Sequence, residues 1–427
     1  MVSAVLFIVL FGTIAIGMPI AWALGVASVA GLLKMGTLPM AVLAQKLFSG
    51  VDSFPMMAIP FFIFAGDLMA KGGLSTMLFE FGNILVGWIR GGMGLACVVA
   101  SMIFGGISGS AIADCCALAP VEVPLMEKAG YDKAFATGLV CGASCIGAII
   151  PPSIPMVLYA VAMNVSIGGM FAAGMMPGII IGVALMVVVY YMSVKRNYPR
   201  RTEKMPWSTL ILKTLKALPA IGMPVIILGG ILFGIFTPTE AACIAVIYSF
   251  ILSMFFYRDV KWSELPRMLA NTGMISAVVL ILASTSNIFG YIVTMEKVGP
   301  HLVAFFTGLN KFWFLLAVNL LLLWIGTFMD NAHPILILGP ILAPLAVSLG
   351  IDPLNFGTIF IVNMVIGLIT PPLGQVLFVA VPITRLKFEV VAKATMPFLI
   401  VEIVALFVIT YVPITVMWLP RLLGYAR

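Results

Sequence analysis

The chain has 427 residues, 62% of them hydrophobic and only 9% charged, with a formal net charge of +7. Soluble proteins are about 45–50% apolar and about 25% charged, and a soluble chain with the present balance would expose large apolar patches and aggregate. The composition excludes a soluble enzyme, a disordered protein and a nucleic-acid binder, and leaves an all-α integral membrane protein with little mass outside the bilayer.

In chain order, apolar segments of spanning length lie at 2–33, 51–70, 92–107, 134–162, 168–193, 218–257, 268–292, 312–328, 355–382 and 396–419. Some are over-long and hide a break or a second crossing, so the expected count is about 10–12 transmembrane helices. The first run lacks a basic n-region and is too long for a signal peptide. The first basic residue, Lys34, follows the first span, which predicts an N-terminus outside. The clear polar interruption is 195–216, carrying Lys195, Arg196, Arg200, Arg201, Lys204, Lys213 and Lys216. A short basic loop of this kind is expected to be cytoplasmic, and it divides the chain into a first half, 1–194, and a second, 217–427. Trp88, Trp207, Trp262, Trp313 and Trp418 sit near basic residues, as interfacial belts do. The six cysteines lie in apolar runs without CxxC spacing and read as packing residues, so neither a disulfide framework nor a transition-metal site is expected.

The halves are related. At an offset of 220 residues, Pro120 falls on Pro340, Pro124 on Pro344, Gly130 on Gly350, Asp132 on Asp352, Gly147 on Gly367, and Pro151 and Pro152 on Pro371 and Pro372. Between Gly106–Val161 and Gly326–Val381 there are 14 identities in 56 positions without a gap. Apolar composition does not readily give aligned prolines, glycines and an aspartate at one offset. Internal symmetry with paired Gly/Pro interruptions points to a secondary transporter; the bland alternative is an old duplication kept for packing.

Each repeat has two interruptions. The first is small and polar, GGISGSAIAD at 105–114 and GTFMDN at 326–331, and reads as the tip of a re-entrant hairpin over 100–127 or 320–347. The second is a double proline, GAIIPPS at 147–153 and GLITPPL at 367–373. A proline inside a helix cannot donate to the carbonyl four residues earlier, so these prolines are expected to free the carbonyls of Gly147, Ala148, Gly367 and Leu368. Freed carbonyls are tolerated in a membrane only where protein, water or an ion meets them, and they suit a small hard cation such as Na⁺. The Thr370 hydroxyl could add an oxygen in the second half; Ser108, Ser110 or Ser153 could do so in the first. Among acidic residues in apolar context, Asp114 and Asp330 follow the hairpin tips and stand for ion or substrate handling, against a local cap or hydrogen bond. Asp67 and Glu240 read as structural, and His333 as a local partner of Asp330. GxxxG spacings at Gly138/Gly142, Gly178/Gly182 and Gly230/Gly234 are expected to allow close helix approach. Gly106-Ile107-Ser108-Gly109 also spells the GxSG of intramembrane serine proteases, but the base such a serine needs has no nearby histidine: the first is His301. No enzymatic activity is expected.

GISGSAIAD, GAIIPPSIPMVLYA, FTPTEAA, GTFMDN and GLITPPLGQVLFVA, in this order and along nearly the whole chain, resemble the large membrane subunit of TRAP (tripartite ATP-independent periplasmic) transporters. The resemblance implies a Na⁺-coupled importer of carboxylate-bearing solutes, of C4-dicarboxylate or sialic acid type, in a bacterial inner membrane. It also implies a periplasmic binding protein, a small four-span membrane subunit as a separate polypeptide, and no cofactor beyond the coupling ions. An elevator mechanism with inverted repeats is implied, the moving part being about 100–163 and 320–382. Carried over by motif, cation ligands fall at Ser108, Gly147, Ile150 and Pro152, and at Gly326, Gly367, Thr370 and Leu373. Ser110, Asp114, Ser153 and Asp330 are the substrate-site candidates. The competing reading within transport is a stand-alone ion-coupled carboxylate carrier.

Overall fold

The computed structural model describes residues 2–36, 38–70, 74–200, 206–296 and 310–426. His301 and part of the 195–216 linker, including Arg201 and Lys204, lie outside them. The described residues form helices and no strand. Five helices are long and apolar enough to cross a bilayer, and a bent pair, Ala41–Ser49 with Phe54–Ala70, kinks by 54°. The other apolar helices are 10–17 residues long, and they make hairpins and half-helices.

The first apolar run is not one crossing. It folds as α1 (Val2–Ala15) and α2 (Ile20–Met35), broken at Gly17 (φ 85°) and Pro19. Leu6 packs on Gly31, so the two helices run antiparallel. The start of α1 and Lys34 therefore lie at the same end of the molecule, so Lys34 does not set the start of α1 on the opposite side of the membrane. The over-long run 218–257 likewise resolves into two helices.

The next helices are α3 (Ala41–Ser49), α4 (Ala58–Ala70) and α5 (Leu74–Val86). The first repeat then follows as a hairpin, α6 (Gly92–Ser108) and α7 (Ala111–Lys128), and a broken helix, α8 (Lys133–Cys145) and α9 (Ile154–Ala162). After α10 (Ile167–Lys195), α11 (Trp207–Leu232), α12 (Pro238–Ile251) and α13 (Leu265–Met295), the second repeat copies the pattern. Its hairpin is α14 (Lys311–Gly326) and α15 (Ala332–Ser348), and its broken helix is α16 (Pro353–Gly367) and α17 (Gln375–Thr384). Helices α18 (Phe388–Tyr411) and α19 (Ile414–Leu422) close the chain. The aspartates aligned by the repeat have one job: Asp132 caps α8 by accepting from Ala134 N at 3.0 Å, and Asp352 caps α16 by accepting from Leu354 N at 2.8 Å.

The repeats are inverted. Helix α10 has 29 residues and is about 43 Å long at 1.5 Å per residue. At its C-terminal end Arg196 faces Asp132, the start of α8, at 3.6 Å. At its other end Gly169 packs on Leu354, the start of α16. Equivalent helix starts therefore lie at opposite ends of one long helix. Helix α13 runs between the same two faces. Its beginning lies near Val260 and Leu68 on the linker side, and its end shares a cavity with Met163 on the other.

Two of the three GxxxG spacings behave as close-approach sites. Gly138 meets the Ala394 backbone of α18, and Gly178 and Gly182 meet Ile150 and Met102. Gly230 instead makes room for the Phe236 ring of its own turn, and Gly234 has φ 70°. Four cysteines are buried as expected, but Cys116 is exposed and Cys243 half-buried. Glu240 closes a capping box on α12, accepting from Thr237 N at 2.8 Å.

Candidate functional site

In each repeat, two glycines bring the hairpin tip against the broken helix. A Cβ built on Gly105 would lie 2.5 Å from Gly147 Cα, and one on Gly367 would lie 2.5 Å from Gly326 Cα. Only glycine permits such backbone contact. The sequence offset pairs Gly106 with Gly326, but the contact in the first repeat is made by Gly105. The tips also differ in length: two residues, Gly109 and Ser110, separate α6 from α7, whereas 327–331 separate α14 from α15.

The first tip is built around Ser108 and Asp114, both buried. Ser108 Oγ donates to Asp114 Oδ1 and accepts from Ser110 N at 3.2 Å. Asp114 Oδ2 lies against Gly147, where no Cβ could fit, and has no hydrogen-bond partner. Ser110 caps α7, and Gly109 O accepts from Ile154 N at 3.3 Å. In the second repeat Gly374 N donates to Thr327 O at 3.2 Å, making the equivalent tie between tip and broken helix. Both double prolines hold a cis bond.

The carbonyls expected to be free are mostly engaged. Ala148 O accepts from Ser153 Oγ at 2.6 Å, Gly367 O from Thr370 N at 3.0 Å, and Leu368 O from Val376 N at 3.0 Å. Residues just before or after each proline pair supply donors in place of the missing helix bonds. A carbonyl oxygen has a second lone pair, so this narrows the oxygen set without emptying it. Thr370 Oγ donates to Ile366 O at 2.9 Å and keeps its own lone pairs.

Of the eight expected cation ligands, Ser108, Gly147 and Pro152 converge on the first tip, Gly109 lying against Pro152 O. The Ile150 side chain turns away to fill the space at Gly178. Gly326 and Gly367 touch, Thr370 is half-buried beside them, and Leu373 is 40% exposed. Of the substrate-site candidates, Ser110 and Asp330 come together from opposite hairpins. They line both a cavity of about 120 Å³ and a neighbouring one of about 560 Å³. Asp67, Ser108 and Asn271 join them in the larger. Asp114 and Ser153 are buried outside the smaller space and do not line the larger. Among the described residues no His/Cys/Asp/Glu group could hold a transition metal. The oxygen donors at the first tip, with one carboxyl oxygen unpartnered, fit a hard monovalent cation.

Two buried carboxyls escaped the sequence reading. Glu122 on α7 and Glu402 on α18 are 0% exposed, and the groups beside them are the Cys97 and Cys145 thiols respectively. Gly142 makes room for the second carboxyl: a Cβ built there would lie 3.2 Å from Glu402 Oε1. Each lies inside an apolar run, the criterion that singled out Asp114, and would have been found had it been applied to every acidic residue.

Residues 7–415 match the family model of the tripartite ATP-independent periplasmic transporter DctM component. The C4-dicarboxylate TRAP transporter large permease protein of Pseudomonas aeruginosa is 41% identical over 90% of this chain and 90% of its own. The sialic acid TRAP transporter large permease protein of Vibrio cholerae is 36% identical over 97% and 98%. Among solved structures, the fold is that of the Alcanivorax borkumensis YdaH transporter, with a TM-score of 0.66 at 14% identity over 91% of this chain and 90% of that one. Neisseria gonorrhoeae MtrF follows with a TM-score of 0.60 at 11% identity over 88% and 84%. The motifs, the paired hairpins and these relatives agree: the chain belongs to the DctM, or large permease, family of TRAP transporters.

Proposed function

We propose that this chain is the ion-coupled membrane subunit of an importer of carboxylate-bearing organic acids, driven by Na⁺. The observation that carries the reading is the pair of tip-to-break contacts in inverted repeats, Gly105–Gly147 and Gly326–Gly367. Each sets hydroxyl and carbonyl oxygens beside a cavity shared by Ser110 and Asp330. In this reading Na⁺ is held at Ser108, Gly147, Ile150 and Pro152, and at Gly326, Gly367, Thr370 and Leu373. The solute lies between the hairpin tips. Relatives named for C4-dicarboxylate, sialic acid and 2,3-diketo-L-gulonate support an organic acid as cargo.

The linker face is cytoplasmic in this proposal, since Arg196 and Arg200 lie there, and the membrane is the bacterial inner membrane. A periplasmic binding protein delivers the solute, and a small membrane subunit covers part of the apolar perimeter. Transport proceeds as an elevator, the two repeats moving against α13 and its neighbours. Reconstitution tests this: uptake should require Na⁺ and the binding protein and should not require ATP. Equal uptake with K⁺ in place of Na⁺ would refute the coupling, and full uptake without a binding protein would make the chain a stand-alone carrier.

A further inference from the structure

Three cavities succeed one another along a single helix. On α13, Asn271 and Ile275 line the 560 Å³ cavity, Ile275 and Val279 the 120 Å³ one, and Ala283, Ser286 and Gly290 a third of about 490 Å³. These positions recur every three or four residues, so they form one stripe. From Asn271 to Gly290 the stripe is about 28 Å long, close to the hydrocarbon thickness of about 30 Å. The third cavity opens on the face opposite the linker, between α3 and α13 on one side and Met163, Leu336 and Pro340 on the other.

This third cavity has a different charge from the central one. Among the described residues that line it, the ionisable group with a formal charge is Lys46, accompanied by Ser49, Ser53, Asn287 and Thr294. Lys46 Nζ lies 4.4 Å from the centre of the Tyr291 ring, a cation–π contact that fixes the ammonium on the cavity wall. Its helix is clamped to α13: Ser284 Oγ donates to Leu47 O at 2.6 Å, and a Cβ on Gly50 would lie 2.9 Å from Asn287 Cβ. A lone ammonium among hydroxyls and an amide in a space of this volume suits a small carboxylate.

We infer that the cavity at Lys46 is an outer receiving site for the solute carboxylate, feeding the central site along the α13 stripe. The inference rests on the proposed carboxylate cargo and extends it to a place and a residue. Lys46 is the electrostatic lure, Asn287 and Thr294 offer hydrogen bonds, and α13 is the fixed wall.

The test uses the whole complex in proteoliposomes with Ser49→Cys as a reporter and membrane-impermeant thiol reagents of opposite charge. The anionic sulfonatoethyl reagent should react faster than the cationic trimethylammonium one, and Lys46→Gln should lower that rate ratio by about tenfold. Lys46→Arg should restore it. Millimolar succinate or N-acetylneuraminate should slow labelling in the Lys46 background and not in Lys46→Gln. A ratio unaffected by Lys46→Gln overturns the inference, and anion preference without protection by either carboxylate overturns its assignment to a carboxylate. Labelling needs no transport. Failure of the unaltered complex to take up any organic acid would therefore sink the proposed function while leaving the labelling result standing.

Discussion

The contact between hairpin tip and broken helix can be tested with one methyl group. Gly105→Ala would place a Cβ 2.5 Å from Gly147 Cα, against about 3.5–4.0 Å for carbon atoms in ordinary contact. Both partners are backbone in buried segments, so no side chain can rotate away, and the tip must retreat by about 1 Å. Overpacking of this kind costs about 1–3 kcal/mol, which a membrane protein of this size can survive. Ion binding should survive it less well, because metal–ligand distances hold to within about 0.2 Å. The expected result is a rise in the Na⁺ concentration for half-maximal uptake of at least about tenfold, equivalent to about 1.4 kcal/mol, with a smaller loss of thermal stability. Gly367→Ala should behave alike, since its Cβ would lie 2.5 Å from Gly326 Cα. Gly229→Ala in α11 is the control: nothing lies within 4 Å of its Cβ, and alanine favours a helix over glycine by about 1 kcal/mol. A folded Gly105→Ala protein with unchanged Na⁺ half-saturation would refute the placement of an ion site at this contact.

Thr370→Ala removes one hydroxyl bond to Ile366 O, worth about 0.5–1.5 kcal/mol. It should weaken Na⁺ dependence of uptake more than co-purification with the small subunit; equal losses in both would contradict the ligand role. Ser108→Ala leaves Asp114 without its donor and should lower the melting temperature through a cost of about 1–3 kcal/mol; an unchanged melting temperature would show that the pair does not hold the tip. Asp352→Ala removes the α16 cap at a cost of about 1 kcal/mol with Na⁺-driven uptake retained, and loss of Na⁺ dependence there would contradict its reading as a cap.

The repeat, the hairpins and the proline breaks were legible in the sequence because each depends on residues with few substitutes. A Gly–Gly backbone contact, a proline pair and an aspartate cap leave marks that apolar drift does not erase. Inversion was not legible. It depends on which end of α10 each repeat meets, and the Arg196–Asp132 and Gly169–Leu354 contacts that settle it have no sequence signal. A break in the over-long first run was expected, but the antiparallel return of α2 on α1 was not, because hydropathy measures the length of an apolar run and not its direction. Pro19 marked the break, and Gly17 beside it, at φ 85°, makes the turn. Lys46 and Asn287 went unnoticed for a related reason: they belong to neither repeat motif, and only the packing of α3 on α13 brings them to one cavity.

The two ends of the α13 stripe differ in sign, and this bears on why a cation should drive the cargo. At the outer end the described lining offers Lys46 and no carboxyl. In the central cavity it offers Asp330 and Asp67, the latter with a partner of its own, and no basic side chain. A carboxylate solute is drawn to the first region and opposed in the second, by energies that grow as water is excluded. A cation meets the reverse. Under the proposed function, a solute settling between the hairpin tips would require positive charge to arrive with it. Ser108, at the first hairpin tip, lines that cavity, and Thr370 sits in the break of the second repeat, two residues from Leu368 on the wall of the smaller space. Binding of cation and anion is then linked through their mutual attraction, and by reciprocity each raises the other's affinity by the same factor. On this argument the coupling resides in the charge of the central cavity as much as in the ion sites themselves, and a solute with more negative charge should call for more cations to accompany it.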